Sequence, residues 1–133
     1  MIQFLTIEQV LHLHDAAIEK FGGLNGVRDL NLLASSIEMP KAAMFGEDLH
    51  PTLYDKASAY LFHIVCGHPF NDGNKRTGAG SAYLFLRLNK ARILFEHYFE
   101  NEVFETFILK VSSSKVTKKE ISYFLEHGKD ESR

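Results

Sequence analysis

The chain has 133 residues, 45% of them hydrophobic, and 15 Lys and Arg residues against 17 Asp and Glu residues give a net charge of -2. This size and composition predict one hydrophobic core and a single domain over residues 1–133. No apolar run approaches the roughly 20 residues that span a bilayer, and no long basic run suits a nucleic-acid backbone, so neither a membrane nor a nucleic acid is an expected partner.

The spacing of apolar residues predicts an all-α fold, a bundle of about six helices. Thr6 followed by Gln9 reads as a capping box for a first helix from about Ile7 to Phe21. His14 shares the apolar stripe of that helix, which favours a hydrogen-bonded core histidine over a ligand. Thr117 with Glu120 predicts a second capping box. The remaining helices are expected at about 29–37, 52–66, 74–88, 101–111 and 117–127.

Two segments between these helices are less regular. Residues 38–51 predict a loop or a short β-hairpin, because Pro40 prevents continuation of the second helix. The other strand-like piece is Arg92 to Phe95. Gly78 and Gly80 lie inside the predicted helix 74–88, where each costs about 1 kcal/mol relative to alanine. We therefore expect close backbone approach to a neighbouring helix at these glycines.

The segment from His68 to Arg76, HPFNDGNKR, concentrates polar chemistry between the two central helices. A helix start presents unpaired N–H groups and the positive end of the macrodipole, which predicts an anion site around Gly73. Lys75 and Arg76 are unfavourable for that macrodipole but well placed to bind phosphate oxygens. A polyanion as the usual occupant explains both cations.

Three further residues of the segment have expected roles. Asp72 suits Mg²⁺, which commonly takes one carboxylate together with substrate phosphates and waters. His68 can accept the proton of an attacking hydroxyl, because its ordinary pKa is near neutrality. Phe70 is expected to point into the core and hold the loop. The alternative from the residues alone is structural, with Asn71 or Asp72 as a helix cap and both cations merely solvated.

The segment HPFNDGNKR resembles the signature of the Fic/Doc families, roughly H-x-F-x-[DE]-[AG]-N-[GK]-R. Gly22-Gly23, Gly26-Val27-Arg28-Asp29 and the stretch from Met39-Pro40 to Phe45-Gly46 also resemble the Doc-like pattern. The resemblance implies the Fic/Doc type of helical bundle with ATP and Mg²⁺ as cofactors. It implies His68 as general base and Asp72 as Mg²⁺ ligand. The predicted phosphate-binding residues are Asn71, Gly73, Asn74, Lys75 and Arg76.

Two positions favour the Doc branch within this resemblance. Fic enzymes proper usually have glycine where this chain has Lys75, and a second arginine where it has Ala79. Doc-like members are associated with phosphoryl transfer to a protein hydroxyl, with translation elongation factor Tu as the family target. Fic members transfer the AMP part of ATP, which is the alternative reaction. The resemblance also implies a toxin with a small cognate antitoxin, whose disordered tail folds onto a partly exposed apolar groove.

Residues 38–49 correspond to a flap that holds the target peptide by strand pairing in the family. The expected docking residues are Met39, Pro40, Lys41 and Ala42, and a mobile surface loop is the alternative. Ser122 to Glu126 is a near miss to a self-inhibitory helix motif of some Fic proteins, because His127 replaces the small residue that follows. Self-inhibition by this helix is therefore not the favoured prediction.

Location and catalysis complete these expectations. The first five residues lack an export signal, and a single cysteine, Cys66, suits a reducing compartment, so we expect a cytoplasmic protein. The leading hypothesis is an ATP- and Mg²⁺-dependent protein kinase-type toxin. The alternative of a different class is a non-catalytic member that binds a nucleotide or a partner protein.

Overall fold

A computed structural model describes residues 1–95 and 101–130 and contains six α-helices in this part of the chain. They are α1 (Ile7–Phe21), α2 (Leu30–Glu38), α3 (Leu53–Gly67), α4 (Asn74–Leu88), α5 (Glu102–Ser112) and α6 (Lys118–His127). A 3-10 turn (Met39–Lys41) and two short antiparallel strands, β1 (Ala43–Met44) and β2 (Glu47–Asp48), connect α2 to α3. The mostly helical fold with a small hairpin, predicted from the sequence, is confirmed.

Five of the six helices begin with a side-chain cap. Thr6, Thr52 and Thr117 each form a reciprocal capping box, and the side chains of Asp29 and Asn101 each accept a backbone N–H. The boxes at Thr6 and Thr117 confirm the prediction. Helix α4 differs, because it begins at a glycine that offers no side-chain hydrogen bond. The N–H groups of its first turn therefore lack the partner that the other helices have.

Helix α3 lies at the centre of the fold and packs most extensively against α4 and α6. A Cβ atom on Gly78 of α4 would lie 2.7 Å from Val65 Cγ2 and 3.3 Å from the Leu61 carbonyl oxygen of α3. The two central helices thus touch where the sequence predicted close approach. The α4 start is held against the α3 end by this contact, which fixes the position of the loop between them.

The connection between α2 and α3 forms the predicted hairpin. Ala43 pairs with Asp48 and Met44 with Glu47, and the intervening Phe45 and Gly46 both have positive φ. Positive φ at both central residues is the geometry of the tight type I′ hairpin turn. The Phe45 side chain is almost fully exposed at the tip.

The prediction of a strand-like segment at Arg92 to Phe95 is wrong, because these residues run as irregular chain. Their alternation of exposed and buried side chains comes from packing on a helix, with Phe95 stacked on Phe104 of α5 at 5.1 Å between ring centroids. No helix within residues 1–95 and 101–130 has the length and apolar character needed to cross a bilayer.

Candidate active site at the start of α4

His68 ends α3 in an unusual backbone conformation. Its φ of 53° and ψ of 55° lie in the left-handed region, which few residues with a side chain adopt. Arg28 supports this turn, because its Nε donates to the His68 carbonyl oxygen at 2.7 Å and its Nη2 donates to the Gly67 carbonyl oxygen at 3.0 Å. Arg28 thus fixes the backbone at His68, whose side chain is exposed at the end of α3.

The segment before α2 supports the loop that follows His68. The N–H groups of Arg28 and Asp29 both donate to the Pro69 carbonyl oxygen, at 2.8 and 3.1 Å, and the Asn71 N–H donates to the Gly26 carbonyl oxygen at 3.1 Å. The glycine-containing pattern at residues 26–29 is therefore part of the site. It supplies the backbone partners that a loop without regular structure needs.

Phe70 and His14 form the buried floor of the loop. Phe70 is 1% exposed, and its ring stacks on that of His14 at 3.9 Å between centroids with an angle of 7°. The His14 Nε2 lies 2.8 Å from the Asp72 carbonyl oxygen. Phe70 points into the core and His14 is a hydrogen-bonded core histidine, as the sequence predicted.

The side chain of Asn74 forms its hydrogen bonds within the loop. Its Oδ1 accepts from the Phe70 N–H and its Nδ2 donates to the Phe70 carbonyl oxygen, both at 3.0 Å, and the residue is 7% exposed. Asn71 similarly donates its Nδ2 to the Asn25 carbonyl oxygen at 3.2 Å. Both residues line the cavity, and their part in phosphate binding stays a prediction. Because both polar groups of the Asn74 side chain are bonded, its backbone N–H in the first turn of α4 is the group of this residue best suited to that role.

Asp72 presents an ionised carboxylate to solvent. Hydrogen bonds from the Leu24 and Gly73 N–H groups, at 3.2 and 3.0 Å, lower the pKa of Asp72, and the nearby charges of Lys75 and Arg76 lower it further. A single carboxylate in this setting fits Mg²⁺, whose protein ligands are usually few when phosphates are present. Within the described ranges no cluster of three or more His, Cys, Asp or Glu side chains could hold a metal, so any ion here would depend on nucleotide phosphates as well.

Lys75 and Arg76 carry two positive charges at the start of α4. Both side chains are exposed, and neither takes part in an ion pair within residues 1–95 and 101–130. The Arg76 guanidinium lies over the ring of Phe21, 4.1 Å from its centroid, which limits its rotation. These charges and the uncapped N–H groups of α4 together have the chemistry that suits an anion.

A cavity of about 500 Å³ connects these groups. It brings together seven residues of the motif, His68, Asn71, Asp72, Gly73, Asn74, Lys75 and Arg76. The opposite wall was not predicted from the sequence. It comes from Ala79 of α4 and from the α5 residues Phe104, Glu105, Ile108 and Leu109. The sequence carries no direct signal for this wall, because the 53% exposure of Leu109 is visible only in the structure.

None of the four expected docking residues of the flap lines this cavity, and their role stays a prediction. Met39, Pro40 and Lys41 form the 3-10 turn, and Ala42 precedes β1, so the strand pair itself is residues 43–48. The hairpin is tied to the first turn of α3 by the Lys56 ammonium, which lies 3.3 Å from the Asp48 carboxylate. His68 lies twelve residues further on, which corresponds to about 18 Å along a helix.

Comparison with known proteins agrees with this geometry. The Fic/DOC family profile matches residues 4–86, which include the whole motif and its supporting segments. The chain belongs to the Fic/Doc family. It is similar to the toxin Doc of Mycolicibacterium smegmatis, with 39% identity over 93 residues that cover 70% of this chain and 69% of that protein. It is also similar to the protein kinase doc of Escherichia phage P1, with 36% identity over 92 residues that cover 69% of this chain and 72% of that protein.

Proposed function

We propose that this protein is a cytoplasmic toxin that transfers a phosphoryl group from ATP to a hydroxyl of a protein target, with Mg²⁺ as cofactor. One observation carries the proposal: a single cavity contains an imidazole, an ionised carboxylate and two cations beside an uncapped helix start. A triphosphate with its metal ion needs these groups, and a hydroxyl nucleophile needs the base.

Each residue has a defined task in this reaction. His68 accepts the proton of the target hydroxyl as that oxygen attacks phosphorus. Lys75, Arg76 and the first N–H groups of α4 bind the phosphate oxygens, on which negative charge accumulates. Asp72 holds the metal ion, which neutralises phosphate charge when it is bound. The stacking of Arg76 on Phe21 lowers the entropy that its guanidinium loses on binding.

Phosphoryl transfer is favoured over AMP transfer by the wall of the cavity. Fic enzymes proper have a second arginine at the position of Ala79, and here Ala79 shares an apolar surface with Phe104 and Ile108. A triphosphate bound here lacks that cation, while Lys75 adds one at the start of α4. The name of the phage relative, a protein kinase, supports the same choice.

The target and the antitoxin follow from the resemblance to Doc-like proteins. We propose elongation factor Tu as the substrate, held in part by the flap around Met39, Pro40, Lys41 and Ala42. The name of the mycobacterial relative supports the role of a toxin with a cognate antitoxin.

Transfer of radioactive label distinguishes the two reactions. The purified chain is incubated with Mg²⁺, cell extract and either γ-labelled or α-labelled ATP. We expect one protein to acquire label from γ-labelled ATP alone, with a mass increase of about 80 Da. Label arriving only from α-labelled ATP would refute phosphoryl transfer in favour of AMP transfer.

The variant His68→Ala tests whether catalysis causes toxicity. We expect it to abolish both labelling and growth arrest when the chain is expressed without an antitoxin. His12→Ala is the matched control, because His12 is exposed on α1 and lies outside the cavity. Growth arrest that persists in His68→Ala would support a non-catalytic binding role instead.

A further inference from the structure

We propose that His14 is a positioning residue, which directs the Asp72 carboxylate toward the metal ion of the bound nucleotide. The proposal rests on the function given above, since it concerns the same site. His14 lies 58 residues before Asp72, is 2% exposed and does not line the cavity. It acts through the loop and touches no reacting atom.

The hydrogen bond from His14 fixes the ring's tautomer. A carbonyl oxygen only accepts, so the His14 Nε2 must carry the hydrogen that it donates to the Asp72 oxygen at 2.8 Å. Stacking on Phe70 at 3.9 Å fixes the plane of the ring. The donor is therefore immobile, and it lies beneath the loop rather than beside it.

The peptide unit between Asp72 and Gly73 transmits this constraint. In a trans peptide the carbonyl and the N–H point in opposite directions. Because His14 holds the Asp72 carbonyl toward the core, the Gly73 N–H must point outward, where it bonds to Asp72 Oδ1 at 3.0 Å. The same hydrogen bond orients the exposed carboxylate that is proposed to hold Mg²⁺.

The close fit at Gly73 supports this arrangement. A Cβ atom at Gly73 would lie 3.5 Å from Cδ2 and Nε2 of His14 and 3.2 Å from Cδ1 of Ile18, and the glycine has φ +77°. The imidazole is thus in van der Waals range of the residue that begins α4. If the ring lost its hydrogen bond, the peptide unit could rotate, and both the carboxylate and the outward N–H would lose their direction.

Two variants separate the hydrogen bond from the stacking. His14→Phe keeps an aromatic ring against Phe70 but has no donor, whereas His14→Gln keeps an N–H donor near the Nε2 position but has no ring. We expect His14→Phe to bind Mg-ATP about tenfold more weakly, which corresponds to one lost hydrogen bond. His14→Gln should bind within about threefold of the natural chain. His12→Phe, on the exposed side of α1, is the matched control.

Binding is measured by calorimetry with the full chain, and folding by the thermal midpoint. Equal Mg-ATP affinity of a folded His14→Phe variant and the natural chain would overturn the proposal. A merely structural role predicts that His14→Phe, which keeps the stacking, binds better than His14→Gln, and that order would also overturn it.

Nuclear magnetic resonance gives a readout that needs neither nucleotide nor the folding of a variant. In the natural chain the ¹⁵N spectrum of His14 should show the tautomer with hydrogen on Nε2, and hydrogen on Nδ1 would refute the proposal. Failure of the natural chain to bind Mg-ATP would refute the proposed function instead. In that case the His14 tautomer of the natural chain still decides the positioning claim.

Discussion

The side-chain amide of Asn74 pairs with both backbone polar groups of Phe70, as a second peptide group would. Its Oδ1 accepts from the Phe70 N–H and its Nδ2 donates to the Phe70 carbonyl, each at 3.0 Å. This pair closes the turn between His68 and α4 in a buried setting. Asn74 therefore maintains the shape of the loop that carries the other polar residues of the motif.

We predict that Asn74→Ala lowers the free energy of unfolding by about 2 to 3 kcal/mol. The substitution leaves a buried N–H and a buried carbonyl of Phe70 without partners, and each unpaired group costs about 1 to 3 kcal/mol. Urea titration followed by circular dichroism measures the change. Asn71→Ala is the control, because its hydrogen bond to Asn25 lies at the surface and its loss should cost less than about 1 kcal/mol. Equal effects of the two variants would contradict the assignment.

Gly23 and Gly22 provide a test of the Asp72 carboxylate. A Cβ atom at Gly23 would lie 2.8 Å from Asp72 Oδ2, whereas one at Gly22 would meet nothing within 4 Å. Both glycines have positive φ, so alanine at either position costs about 1 to 3 kcal/mol of backbone strain.

We predict that only Gly23→Ala weakens the dependence of nucleotide binding on Mg²⁺, because it displaces the carboxylate. The ratio of ATP dissociation constants with and without Mg²⁺ measures this effect, and Gly22→Ala should leave that ratio unchanged. A Gly22→Ala variant that alters the ratio as strongly would show that general strain is responsible.

At Gly78 helix propensity favours alanine, whereas the close packing against Val65 disfavours it. The sign of the stability change in Gly78→Ala therefore shows which of the two effects is larger. Alanine favours an exposed helix over glycine by about 1 kcal/mol, but here its Cβ would lie 2.7 Å from Val65 Cγ2. Since overpacking typically costs about 1 to 3 kcal/mol, we predict that Gly78→Ala destabilises the chain. Removal of the obstructing methyl groups in Val65→Ala should then be less harmful in the Gly78→Ala background than in the natural chain. Additive effects in this double-mutant cycle would show that the two residues do not interact.

The helices could be predicted to within one or two residues because their signals are local. Thr6 with Gln9 and Thr117 with Glu120 are capping boxes that the sequence displays directly, and α4 was predicted with the bounds that it has. For residues 38–51 the sequence left a loop and a short hairpin as alternatives, because Pro40 shows only that the second helix ends there. The strand predicted at Arg92 to Phe95 was wrong because exposed and buried side chains also alternate when an irregular segment packs on a helix.

The motif identified the candidate site, but its internal arrangement depends on contacts between distant parts of the chain. The partner of Arg28 is His68, forty residues away, and the partner of His14 is Asp72. No periodicity reveals such pairs. Asn74 was predicted to bind phosphate from the resemblance of the motif, and only the loop conformation shows that both polar groups of its side chain are already bonded. The α5 wall was missed because its apolar residues become part of the cavity through tertiary packing.

The two hydrogen bonds from the Arg28 guanidinium to the end of α3 predict a specific catalytic defect in a variant that lacks them. Arg28→Met removes both hydrogen bonds to the Gly67 and His68 carbonyl oxygens. The backbone that carries the imidazole then loses its support, and small displacements of a catalytic base can reduce rates by tenfold to a hundredfold. We expect the rate of label transfer to fall by at least about tenfold, while the affinity for Mg-ATP stays within about threefold. Arg87→Met, on the far end of α4, should change neither quantity.

The pair of His63 and Lys118 predicts a stability change in mild acid. Burial, the charge of Lys118 and then His50 lower the pKa of His63 to about 4, and the Lys118 ammonium lies 3.1 Å from its Nε2. Because the ordinary pKa is 6.5, the unfolded chain binds a proton at this histidine between pH 6.5 and about 4, and the folded chain does not. The free energy of unfolding should therefore fall as the pH drops through this window and be fully retained above it.

For a partly exposed group we expect this contribution to reach about 2 kcal/mol, less than the full shift would give. His63→Gln keeps an acceptor for Lys118 but has no titrating ring, so the difference in unfolding free energy between the variant and the natural chain should grow as the pH falls from 7 to 4. His12→Gln, at an exposed histidine of α1, should show no such growth. A His63→Gln variant whose stability falls with acid as steeply as that of the natural chain would show that other groups, such as the carboxylates, account for the whole dependence.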